Sequence, residues 1–152
     1  MNKAEKSRVK IRRMAHSDIH EVLALDRVIR GPGRDVIRYE DIASANLGVP
    51  PDLSFVAEVD GKMVGFSINR SMYLMVPLTE VCIIHAMLIH PDYRKLGIGS
   101  KLVQALLELC RAEGITTIRA PIPKADKELR AILERHGFRS SSIVNFDIML
   151  ES

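Results

Sequence analysis

Tryptophan is absent from this chain, and phenylalanine and tyrosine bring its aromatic content to only 5%. Proteins hold single-stranded nucleic acid largely by aromatic stacking, so that scarcity argues against such a ligand. Charge adds little. Lys and Arg number 22 against 19 Asp and Glu, leaving +3, which suits an anionic ligand but does not by itself argue for a nucleic-acid partner. Cysteine is scarce as well: Cys82 and Cys110 stand far apart in apolar surroundings, without metal-ligand spacing, and read as reduced, buried thiols. His16, His20, His90 and His136 share no such spacing either, so no metal site is expected. No run approaches the roughly 20 apolar residues of a membrane span, and Lys3, Lys6, Arg8 and Lys10 have no apolar stretch behind them as a signal peptide would. The expectation is a soluble, cytoplasmic protein with neither a membrane nor a nucleic-acid partner; a homodimer is left open.

What is present is ordinary globular composition, 47% hydrophobic and 27% charged over 152 residues, enough for one domain spanning 1–152 with residues 1–7 frayed. Alternation predicts a first strand over Val9–Met14. Ser17-Asp18 offers an N-cap to a helix carrying Ile19, Val22, Leu23, Leu25 and Ile29, which Gly31-Pro32-Gly33 ends. A second helix is expected over Tyr39–Leu47. Leu53–Val59 and Met63–Ile68 flank Asp60-Gly61, the strongest short signal for a type I′ hairpin. Asn69–Glu80 reads as a strand extension and then a loop, because Pro77 interrupts a central strand. A buried strand over Ile83–Ile89 leads into a basic glycine loop and an amphipathic helix over Gly99–Glu113 that stops at Gly114. Ile115–Ala120 follows as a parallel strand, Asp126 caps a last helix ending at Gly137, and Phe138–Ser140 with Ile143–Leu150 suggests a final hairpin.

The informative stretch is Arg94-Lys95-Leu96-Gly97-Ile98-Gly99. Closely spaced glycines let backbone N–H groups converge, and the following helix aims its positive end and unpaired N–H groups at the same point. With Arg94 and Lys95 this makes an anion cradle suited to a phosphate or pyrophosphate. It is not a nucleotide P-loop, since no Lys-Ser/Thr pair follows the second glycine.

In these residues the chain resembles the GNAT superfamily of acetyl-coenzyme-A-dependent N-acetyltransferases, whose signature is Arg or Gln, two residues, Gly, one residue, Gly or Ala. Arg94, Gly97 and Gly99 fit it, the preceding Ala86-Met87-Leu88-Ile89 strand and the following helix fit its context, and Gly65 and Gly137-Phe138 are further matches. The resemblance covers nearly the whole chain. It implies an α/β, GNAT-like mixed, mostly antiparallel sheet of about seven strands flanked by about four helices. It implies acetyl-CoA as acyl-donor substrate, its pyrophosphate on the loop from Arg94 and Lys95 through Leu96, Gly97, Ile98, Gly99 and Ser100. The pantetheine arm would pair with Met87, Leu88 and Ile89, where the fourth and fifth strands splay apart, and the thioester would lie between the strand around residue 87 and the last helix. The acceptor would be a primary amine of a small molecule, peptide or protein.

Acyl transfer requires a neutral amine, yet a lysine-like amine has a pKa near 10.4. A base must take the proton, and His85, whose ordinary pKa is about 6.5, is the candidate; some arylalkylamine-acetylating members of the family also carry histidine there. The plainer reading makes His85 a strand residue with its ring hydrogen-bonded. Simple alternation puts it on the face of Met87 and Ile89, although a bulge would redirect it. For the general acid the family usually has a tyrosine four residues before the glycine of the Gly-Phe pair; here that position is Leu133, and nothing selects Tyr73 or a water instead. Tyr93 and Lys95 read equally as cofactor contacts or as solvated residues. Met72, Met75 and Met87 suit core packing, and Asp35, Glu40, Asp41 and Glu80 solvated surface. The alternative to an enzyme is a CoA-binding module or sensor that has lost catalysis, the reading Leu133 supports.

Overall fold

The computed structural model describes residues 8–31, 52–75 and 78–151. The chain opens with β1 (Val9–Arg13), a short 3-10 turn (His16–Asp18) and α1 (Ile19–Arg30). It continues with β2 (Phe55–Val59), β3 (Lys62–Met75) and β4 (Leu78–Ile89), a second 3-10 turn (Pro91–Tyr93), α2 (Ile98–Ala112), β5 (Ile118–Arg119) and α3 (Lys127–Arg135). The five strands form one sheet in the order β1-β2-β3-β4-β5, antiparallel throughout except for the parallel β4–β5 pair.

Alternation along the strands sorts the sheet into two apolar faces. Phe55, Ala57 and Val59 of β2, with Val64 of β3 and Cys82 and Ile84 of β4, join Ile98, Leu102, Val103 and Leu106 of α2 and Leu133 of α3 in the main core. On the other face Val56, Met63 and Phe66 pack against Ile19, Val22 and Leu25 of α1. The result is an α/β sandwich with, among the described residues, one helix on one face and two on the other. The β2–β3 connection is the expected two-residue turn, with positive φ at both Asp60 (52°) and Gly61 (78°), as a type I′ turn demands.

Asp18 does not cap α1 as its position suggested, since its side chain makes no cap hydrogen bond to that helix. Its carboxylate accepts two bonds from the Arg12 guanidinium, at 2.8 and 2.9 Å, and one from the Ala15 N–H at 2.7 Å. Arg12 also reaches Glu58 on β2 at 2.6 Å. This buried carboxylate therefore ties β1, β2 and the entry to α1 together, and the guanidinium holds its pKa below the ordinary value, with the Ala15 N–H adding to the effect.

The fold differs from the sequence expectation in two counts, with five strands rather than about seven and three helices rather than four among the described residues. The helix expected at Tyr39–Leu47 lies outside the described residues. The final hairpin does not form: neither 138–140 nor 143–150 is a strand, and the latter is exposed. Its composition has the strand period, but a strand also needs a partner, and no turn reverses the chain there. In the middle of the chain the strands run longer than expected: β3 continues to Met75 and β4 begins at Leu78.

Candidate active site

The site is built where β4 outruns its neighbour. β4 pairs with β3 along its whole length, but with β5 only at Cys82 and Ile83, opposite Ile118 and Arg119. From Ile84 to Ile89 that edge of β4 has no strand beside it among the described residues, so its backbone polar groups border open space. That space is a cleft of about 580 Å³, lined by Met87, Leu88 and Ile89 of β4, the loop and first turn of α2, and one side of α3.

At one end of the cleft stands the glycine loop. Gly97 has φ 80° and ψ 10°, a left-handed conformation that costs a residue bearing Cβ roughly 1–2 kcal/mol. A Cβ there would meet nothing within 4 Å, so the glycine serves the turn rather than the packing. Gly99 is the reverse case. Its Cβ would come within 2.8 Å of Ile132 Cδ1 and 3.3 Å of Ile89 Cδ1, so glycine lets α2 start close against α3 and β4. The first intrahelical bond runs from the Lys101 N–H to the Gly97 carbonyl at 3.0 Å, which leaves the N–H groups of Ile98, Gly99 and Ser100 ahead of the helical ladder. Gly97 as N-cap supplies no side-chain acceptor for them.

Around this helix end are Arg94, Lys95 and Arg135, all on the cleft wall. Arg94 Nε donates to the Ile89 carbonyl at 3.3 Å, fixing the loop to the end of β4. Lys95 has φ 62°, a second left-handed residue in the same turn. Ser100 Oγ lies 2.6 Å from His136 Nε2, so the hydroxyl at the mouth of the helix is held from the far end of α3. His90 supports the approach to the loop, its Nδ1 accepting the Asp92 N–H at 3.1 Å.

The structure thus brings Met87, Leu88, Ile89, Arg94, Lys95, Gly97, Ile98, Gly99 and Ser100 to one cleft, with Tyr93 beside them. Leu96, the remaining loop residue, is half-buried against the main core. The far wall is α3, the last helix, on the side where the family likeness puts the thioester. Asp126, Glu128, Leu129, Ile132 and Arg135 of α3 and its cap line the cleft, individual residues that the sequence did not single out beyond an inward apolar stripe. A signal is there in retrospect: Leu129 and Ile132 stay half-buried while Leu133 is buried, so part of the apolar face looks into the cleft.

His85 occupies a β-bulge. Ile68 pairs with Ala86 and Asn69 with Ile84, so His85 is the extra residue on β4. The alternation slips at this point, because Ile84 and Met87, three apart, both pack toward α2 and α3. The imidazole is exposed and does not line the cleft between β4 and α3. Desolvation and, after it, the positive charge of Arg70 lower its pKa, which favours the neutral ring. Leu133, the position of the missing acid, is 4% exposed within the main core. Tyr73, on the exposed half of β3, is 68% exposed. Cys82 and Cys110 are both buried; the neighbouring Cys110 thiol and then burial push the Cys82 thiol up, the same contact lowers Cys110, and burial keeps both sulfurs away from the cleft. Among the described residues no cluster of His, Cys, Asp and Glu is placed to hold a metal ion, and no helix is long and apolar enough to cross a membrane.

A strand that splays from its neighbour above a glycine-initiated helix defines the class. Residues 17–138 match the model of the acetyltransferase (GNAT) family, and the chain belongs to that family. Among its relatives is an uncharacterized N-acetyltransferase of Methanocaldococcus jannaschii, 30% identical over 91 residues that cover 59% of this chain and 40% of the relative. The chain spans about half or less of the length of the curated relatives it matches. Of solved structures, the aminoglycoside N-acetyltransferase AAC(6')-Iy in complex with CoA superposes with a TM-score of 0.78 at 18% identity, covering 93% of this chain and 94% of that one. The ribosomal-protein-alanine N-acetyltransferase of Brucella melitensis superposes at 0.73 and 20% identity, covering 93% and 99%. At those identities the likeness is one of fold.

Proposed function

We propose that this chain transfers an acetyl group from acetyl-coenzyme A to a primary amine. The observation that carries the reading is the continuity of one cleft. It begins on the unpaired edge of β4 at Met87–Ile89 and ends on the free N–H groups of Ile98, Gly99 and Ser100, flanked by Arg94, Lys95 and Arg135. A ligand with an amide-bearing arm and a pyrophosphate matches both ends. The arm takes the place of a missing strand, and the phosphates meet a helix N-terminus and cations.

Acetyl-CoA supplies an activated acyl group; the rest falls to the chain. The amine nitrogen attacks the thioester carbonyl carbon, a C–N bond forms, the C–S bond breaks, and the thiolate departs with the electron pair. A backbone N–H of Met87 or Leu88 is assigned to the oxyanion, a contact whose loss typically costs about 3–4 kcal/mol. His85, redirected by its bulge and favoured as the neutral ring by partial desolvation and then by Arg70, is assigned to the proton of the attacking amine, directly or through water. The general acid has no assigned side chain, since Leu133 lies in the core, and a thiol of pKa about 8.5 leaves adequately without one.

The burial of Leu133 also supports a second reading, a CoA-binding module or sensor of little or no activity. Relatives of the fold are named for acceptors as different as aminoglycosides and a ribosomal-protein alanine, so the acceptor is sought rather than assumed. Incubating the chain with acetyl-CoA and a panel of polyamines, aminoglycosides and peptide N-termini, with mass spectrometry for +42 Da products, separates the readings. An acetylated amine with stoichiometric thiol release supports the enzyme; CoA binding without product on any acceptor supports the sensor.

A further inference from the structure

Among the described residues, two buried side-chain atoms lack a hydrogen-bond partner, Asn69 Oδ1 and Arg70 Nε. They belong to consecutive residues of β3, at the register shift that makes His85 a bulge on β4. Each such orphan needs a physical reason. Asn69 is otherwise well held. Its Nδ2 donates to the Leu53 carbonyl and to Ser67 Oγ, both at 3.0 Å, and its backbone N–H donates to Ser54 Oγ at 3.1 Å. That network pins the strand from which Arg70 projects.

Arg70 is half-buried, and its guanidinium makes no ion pair among the described residues. Arg12 and Arg30, also half-buried, are paired with Asp18 and Asp26 at 2.8 and 3.0 Å. The acids near Arg70 in the strand pairing accept from other groups. Asp52, opposite it in an isolated antiparallel bridge, takes the Ser54 N–H at 3.2 Å, and Glu80 takes the Ser71 hydroxyl. A guanidinium withdrawn from water is costly to keep unless something supplies its counter-charge.

Its place suggests what does. Phe66 and Ile68 pack with α1, so alternation along β3 puts Arg70 on the α1 face, away from α2 and α3. Arg70 pairs with Ile83, which makes His85 its diagonal neighbour on β4, at about 7–8 Å, a gap that long side chains span. The charge of Arg70 is accordingly felt at the imidazole. An acceptor approaching from this face brings its amine to His85 and the adjoining group to Arg70.

We propose that Arg70 selects the acceptor, which is an amine carrying a carboxylate, held by the guanidinium while His85 receives the amine proton. The inference rests on the transferase reading above. A planar guanidinium fork matches a carboxylate in shape and charge. A free amino acid offers that pair of groups, and so does a peptide with an acidic first residue. A polyamine sets like charge against Arg70 and is rejected by the same residue.

Acceptor pairs that differ in the carboxylate test this with the full chain and acetyl-CoA at pH 8, where His85 is neutral with or without Arg70. The pairs are L-lysine against cadaverine, L-phenylalanine against phenethylamine, and an amidated peptide beginning with Glu against the same peptide beginning with Gln. The carboxylated member should have the higher kcat/KM by about 10-fold or more. Preference in the first two pairs identifies a free amino acid, and in the third a peptide. Arg70→Gln should erase the preference through KM, and Arg70→Lys should restore part of it. Independently of turnover, 1H–15N spectra of the arginine Nε region in the CoA-bound chain should show one cross-peak, absent from Arg70→Gln, that moves with the carboxylated member of a pair and not with its partner. Equal kcat/KM within every pair overturns the proposal, as does a preference that survives in Arg70→Gln or an Arg70 cross-peak that does not move. A chain that acetylates none of these amines counts against the transferase reading, and the cross-peak then decides the carboxylate site by itself.

Discussion

At the scale of single residues, His85 is the side chain whose environment most affects the chemistry. Desolvation and then Arg70 depress its pKa, so the neutral base persists below the ordinary value of about 6.5, and the acid limb of the kcat/KM profile should lie below that pH. His85→Ala should lower kcat/KM about 10²-fold and flatten that limb. Arg70→Ala should move the limb up toward 6.5 while leaving the base in place. Rate profiles of both variants between pH 5 and 9 check this, and unchanged kinetics in His85→Ala would remove the residue from the mechanism. The sequence named His85 but could not say where it pointed. A bulge is a mismatch between two strands, and it becomes visible only when Asn69 is seen opposite Ile84 and Ile68 opposite Ala86.

Among the elements, the joint between β1 and α1 and the start of α2 make separate claims. Asp18 has a folded-state pKa below its unfolded value, so its contribution is complete above about pH 4 and is lost as pH falls through the folded value. Asp18→Asn should therefore cost about 2 kcal/mol near neutrality, the range for hydrogen bonds to a charged group. The difference from the parent should shrink in acid, as urea melts at pH 7 and pH 3 would show. In α2 the two glycines should fail differently. Gly97→Ala should lose about 1–2 kcal/mol to backbone strain alone. Gly99→Ala should lose about 1–3 kcal/mol by overpacking against Ile132 and Ile89, and should disturb the cleft wall as well. Thermal melts measure both costs, and a Gly99→Ala protein that binds acetyl-CoA as tightly as the parent would contradict its place between α2 and α3. Much of this was legible: Gly97 and Gly99 announced the turn and the start of α2, and Asp126 announced the cap of α3, where the structure shows it accepting the Leu129 N–H at 3.1 Å. The place of α3 beside the cleft followed only from the family likeness, and its lining residues were not legible, because helical periodicity marks an apolar face without saying whether a core or a ligand covers it.

On the scale of the whole molecule, the architecture follows from where the sheet stops being continuous. The fold class could be read from element order and from the loop motif, while the missing hairpin could not, since alternation in 143–150 specifies a strand and leaves its partner unnamed. The divergence of β4 from β5 after Ile83 was expected only from the family likeness; in the structure it is the end of a two-residue pairing. If the resulting cleft holds acetyl-CoA, ligand at 100 times its Kd should stabilise the folded chain by about 2.7 kcal/mol, visible as a rise in Tm. The most direct test is a calorimetric titration of acetyl-CoA into the parent chain and into Gly97→Glu, with circular dichroism to verify that both are folded. Saturable one-to-one binding by the parent, lost in Gly97→Glu because a carboxylate then stands where the phosphates would sit, is the predicted result. A folded parent that does not bind, or a folded Gly97→Glu protein that binds equally well, would contradict it.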